Sequence, residues 1–133
     1  MALGSWDPDA AQSAAAISID PSRLQKFIAW SQQQKLDELE TLLGDDSQSL
    51  AGLMRLDSET WLQAVNDLSS EDIVELVRFF AVAENLPGWE AGEKSPVIPL
   101  ARILRQRGDK LDRDFLLWLR SVNNNRFLPY GPL

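Results

Sequence analysis

Few side chains in this sequence are equipped for chemistry, and each has a competing structural use. Ser31 and Lys35 stand one helical turn apart and have the types of a Ser-Lys pair, in which an amine accepts the proton of a nucleophilic hydroxyl. Solvated helix faces carry such pairs constantly, so the spacing alone assigns no reaction. Asp45 and Asp46, in "GDDSQS", offer oxygen ligands to a hard cation. The same run reads first as a helix stop followed by the next cap. No catalytic residue, cofactor site or metal site is therefore assigned.

What is missing narrows the chemistry further. The chain has no histidine and no cysteine. That removes the usual general base near neutral pH, the thiolate nucleophile, the Ser-His-Asp constellation and the common ligands of zinc, copper and haem. There is no GxGxxG, no P-loop and no calcium loop. No disulfide framework is possible, and no oxidising compartment is required.

Three groups remain as candidates for binding. Trp89, in a loop, and the nearby cations Arg102 and Arg105 combine an aromatic ring with positive charge, which suits an anionic ligand. Arg102, Arg105, Arg107, Lys110, Arg113, Arg120 and Arg126 form a basic C-terminal part that raises the question of nucleic acid. The chain also finishes on "NNNRFLPYGPL", where Pro129 and Pro132 hold Phe127, Leu128 and Tyr130 semi-extended at reduced entropic cost, with Arg126 at the exit from the last helix. Such a segment docks on its own helices or into a partner, which can be a second copy of the chain.

Charge helps to rank these readings. The 133 residues carry a formal net charge of −7. Residues 1–95 hold 17 acids against 6 bases, and residues 96–133 hold 3 against 7, giving −11 and +4. Net acidity repels polyanions at long range, and Arg107 points away from Arg102 and Arg105 on a helix, so no basic stripe forms locally. The sequence argues against nucleic acid as a partner. No apolar stretch reaches a membrane span, and residues 1–23 lack the features of a secretory signal. The expected location is cytoplasmic.

The elements that would position these residues are helical. Asp20 with Pro21, Asp57, Ser69 with Asp72, Ser95 with Pro96, and Asp112 or Asp109 supply start signals. Gly44, the Asn85-Pro87-Gly88 group, Gly108 and Asn123, read as a left-handed terminator, supply stops. Whether "SQQQ" (31–34) breaks the first helix is left open. Residues 70–84 are apolar around most of the cylinder, which predicts a central buried helix; the segments 58–67 and 70–84 are expected to pair as an antiparallel hairpin. Trp89 is expected to plug the core from its loop. The fold expected is all-α: an irregular bundle of five or six short helices with an ordered, proline-containing C-terminal extension. Residues 1–19 are expected to be a flexible leader, and 20–133 a single helical domain including the tail 123–133. A non-enzymatic protein that binds other proteins is the first functional expectation. An anionic-ligand binder or carboxylate-based enzyme with an interhelical pocket is the alternative, and nucleic-acid binding through the basic part is the third.

Overall fold

Asp20 opens the first helix of the computed structural model, which describes residues 19–123, 125 and 128. Its carboxylate accepts from the Ser22 amide at 2.9 Å, and Pro21 takes the first helical position, where a missing N–H costs nothing. Helix α1 is Pro21–Gln32. The SQQQ run does end it: Gln34 turns left-handed at φ 60°, while the amides of Gln34 and Lys35 return to the carbonyls of Ser31 and Trp30.

Tight turns then carry the chain across one end of the molecule. A 3₁₀ turn Leu36–Glu38 leads into α2 (Leu39–Leu43), a second 3₁₀ turn Gly44–Asp46 into α3 (Ser47–Leu50), and a third, Ala51–Arg55, closes the stretch. Leu39, Leu43, Leu53 and Met54 point inward from it. Four longer helices follow the predicted start signals. Asp57 accepts from Thr60 N to start α4 (Ser58–Val65), and Ser69 accepts from Asp72 N to start α5 (Ser70–Ala83). Ser95 accepts from Val97 N ahead of α6 (Val97–Gln106). Asp112, not Asp109, caps α7 (Arg113–Val122) through Phe115 N. Asp109 is occupied elsewhere, accepting from the Ser70 hydroxyl at 2.6 Å.

Helix α5 is the axis of the bundle, as its apolar surface predicts. Ile73, Leu76, Val77, Phe79, Phe80, Ala81 and Ala83 are all buried. Helix α1 lies along one side, bringing the Phe27 ring flat onto Phe79 at 3.9 Å, and Trp61 of α4 meets the edge of Phe80 at 5.1 Å. Trp89 fills the centre from its loop with no exposed surface, and its indole N–H donates to the Ser47 carbonyl at 3.1 Å. Helices α6 and α7 pack against α5 as well. The result is an irregular all-α bundle around one continuous core. Among the described residues there is no strand, and no helix is long and apolar enough to cross a membrane.

Two local expectations are corrected. Segments 58–67 and 70–84 do not form a hairpin: α4 lies chiefly on α6 and reaches α5 through Trp61. Asn123 is extended (φ −145°, ψ 136°) instead of left-handed, because its side chain is recruited inward, donating to the Ala81 carbonyl at 2.9 Å. The residues of the expected leader other than Ile19 lie outside the described part; Ile19 packs on the core.

Candidate functional site

Between Asp72 and Glu84, α5 carries only two charged residues, Glu75 and Arg78. Their spacing, continued by Val82 and Asn85, places them along one flank of an otherwise apolar cylinder. That flank is left as a groove between α5 and α7, walled at one end by the C-terminal end of α1 and the turn that follows.

Arg78 sits at the middle of this groove. Its guanidinium carbon lies 4.7 Å from the Phe115 ring centre and 5.2 Å from that of Trp118, a cation held on two aromatic faces. The side chain keeps 38% of its surface exposed. It forms a loose ion pair with Glu75, whose Oε1 lies 3.8 Å from Nε, beyond hydrogen-bond range. Glu75 is itself engaged by the Ser31 hydroxyl at 2.5 Å. No hydrogen bond from the Arg78 guanidinium to another described residue is present. A fork of N–H donors is therefore oriented by the rings and open to an incoming acceptor.

Two hollows meet at Arg78 and Trp118. The larger, about 540 Å³, is walled by Leu36, Val82, Trp118 and Val122, with Ser31, Gln34, Asp37 and Asn85 at its margin. The smaller, about 400 Å³, runs toward Val74, Leu111 and Phe115 and is edged by Asp109, Lys110, Asp112 and Asp114. Both fall within the range of about 300–1,000 Å³ usual for ligand clefts. The groove thus has an apolar end, a single cation at the centre and an acidic end.

The residues picked out in the sequence fall elsewhere. Trp89 is wholly interior. Arg102 and Arg105 stand exposed on α6, and Arg102 borders two smaller hollows beside α4, of about 360 and 160 Å³, near the exposed Leu62. Trp89 and these two arginines do not converge on one surface. Arg107 is structural: its guanidinium donates to the Leu68, Val65 and Asn66 carbonyls at 2.8–3.3 Å, closing the C-terminal end of α4. Ser31 and Lys35 form no dyad, since the Ser31 hydroxyl points at Glu75 and Lys35 lies past the end of its helix. Asp46 pairs loosely with Arg23 at 3.9 Å, and no set of three acidic residues among those described converges as a metal site.

In the tail, Leu128 is buried in this chain's own core. Arg126, Phe127 and Tyr130 lie outside the described residues. The exit from α7 is fixed by a buried carboxylate that the sequence did not single out. Glu84, only 7% exposed, accepts from Ser95 Oγ at 2.8 Å, Asn125 Nδ2 at 3.0 Å and Asn123 Nδ2 at 3.2 Å. Burial pushes its carboxyl above the ordinary glutamate value, and the bonds from Ser95, Asn125 and Asn123 pull back part of the way. It clamps the tail to the 91–95 turn through Ser95 and through Asn125, which also donates to the Gly92 carbonyl.

Arg78, Trp118 and Phe115 were missed as a site. The readable signal was a lone arginine in the run "IVELVRFFAV", which a buried helix does not carry without a use for it. No protein-family model, curated protein or solved structure matches the chain.

Proposed function

We propose that this protein acts without catalysis, by binding another polypeptide in the groove between α5 and α7. The observation that carries the reading is the Arg78 guanidinium, stacked on Phe115 and Trp118 yet given no hydrogen-bonded acceptor, beside a half-buried apolar wall. A large apolar anchor next to an oriented arginine is the composition of energetically dominant interface centres. The absence of histidine and cysteine from the sequence supports a binding role over acid-base or nucleophilic chemistry at neutral pH.

The test is selection of a phage-displayed random dodecapeptide library on the immobilised full chain. Retention is then compared on Val82→Glu, which charges the groove wall, and on Leu62→Glu, which charges the α4–α6 face instead. Circular dichroism checks that both variants keep their helix content. Peptides held by the wild type and by Leu62→Glu but lost on Val82→Glu support the reading. Peptides indifferent to Val82→Glu, or no selected peptides at all, refute it.

A further inference from the structure

Resting on that reading, we infer that the groove recognises a peptide segment presenting one carboxylate beside a large apolar side chain, the carboxylate on Arg78 and the apolar group against Leu36, Val82 and Val122. The planar fork of a guanidinium matches a carboxylate with two parallel hydrogen bonds. Here that fork is already paid for in conformational terms, because Phe115 and Trp118 hold it in place before any ligand arrives. Glu75, the internal carboxylate close enough to compete, is kept at 3.8 Å from Nε by its short bond to Ser31.

The surrounding charges decide which anion fits. Asp37 borders the apolar hollow, and Asp109, Asp112 and Asp114 border the other, where Lys110 is the sole further cation. A phosphate-rich or nucleic-acid ligand would bring several negative charges against these acids. A single side-chain carboxylate brings one, placed on Arg78, the arginine that lines both hollows. Two of the acids have internal duties, Asp109 to Ser70 and Asp112 to Phe115 N, which leaves Asp114 to favour a basic residue on the far side of the partner's carboxylate. The apolar hollow takes one large side chain next to it. The segment recognised is therefore apolar, then acidic, then basic along the groove. The hollows beside Arg102 differ in having no aromatic residue in their walls to orient that arginine.

The test uses peptides recovered from the library selection, resynthesised with each Asp or Glu in turn replaced by Asn or Gln, and their affinities measured by fluorescence anisotropy on the intact chain. One replacement is expected to weaken binding to the wild type about tenfold or more, the effect of losing a charge-assisted pair. On Arg78→Gln the acidic and amide peptides should bind alike, and Arg78→Lys should keep only part of the difference. The peptide replacements on the wild type keep the test decisive if Arg78→Gln folds poorly. If groove-dependent peptides carry no acid, or bind equally well as amides, the carboxylate inference is wrong while polypeptide binding stands. If binding never depended on Val82, both readings fall.

Discussion

Removing the carboxylate of Glu84 should destabilise the protein by about 2–3 kcal/mol at neutral pH. In Glu84→Ala the Ser95 hydroxyl loses its acceptor in a fully buried site, while Asn123 keeps the Ala81 carbonyl and Asn125 keeps the Gly92 carbonyl. One orphaned buried donor costs about 1–3 kcal/mol, and two weakened amides add a fraction of that. The lost Cγ methylene contributes about 0.8 kcal/mol. Opposing these is relief from holding a carboxylate away from water with no described cation beside it. Urea unfolding followed by circular dichroism measures the balance. Because the same carboxylate holds Asn125, Glu84→Ala and Asn125→Ala should be clearly non-additive when combined. A loss below about 1 kcal/mol, or additivity of the two changes, would refute the idea that this clamp fixes the tail.

Glu84 also sets a pH dependence of unusual sign for an acid. Its folded-state carboxyl binds a proton more tightly than the unfolded one, so its contribution to stability falls as pH rises from about 4.3 through its own raised value and then levels off. Asp20 and Asp57 work oppositely: hydrogen bonds from Ser22 and Thr60 hold them low, so their contribution is present above the ordinary aspartate range and is lost as pH falls through their lowered values. Urea midpoints against pH for wild type and Glu84→Gln should differ in slope above about pH 4.3, the variant lacking the fall. Gly108 closes α6 at φ 83°, with the amides of Gly108 and Asp109 returning to Arg105 and Leu104, so Gly108→Ala should cost about 1–2 kcal/mol of unfolding free energy. Gln34 does the same job for α1 at φ 60°, and Gln34→Gly should stabilise by about 1 kcal/mol in the same assay. Trp61 and Trp89 are equally buried, yet the Trp61 indole N–H has no partner among the described residues while that of Trp89 has two. Trp89→Phe should therefore cost about 1 kcal/mol more than Trp61→Phe by urea melts.

Helix limits were legible in the sequence because capping is local: Asp20, Asp57, Ser69 and Asp112 each bind an amide two or three residues on, whatever the rest of the chain does. The central helix and the buried Trp89 were legible because so much apolar area has only one low-energy place to go. Pairings between elements were not. Nothing local says that α4 prefers α6 to its neighbour in sequence, or that Asp109 will meet Ser70 and leave capping to Asp112. Asn123 was misread for the same reason, since its side chain answers to Ala81 and Glu84, about forty residues away. The candidate groove was not read: the one local sign, an arginine at position 78 in an apolar helix, went unused, and its aromatic support comes from α7, so only the fold brings Phe115 and Trp118 beneath it.

Amide and indole chemical-shift changes on adding a library-selected peptide to the isotopically labelled chain test the central claim most directly. The account predicts that the shifts centre on Arg78, Val82, Trp118 and Val122, with the Trp118 indole signal among the largest. Shifts centred instead on Leu62, Ile98 and Arg102, along the α4–α6 face, would contradict it.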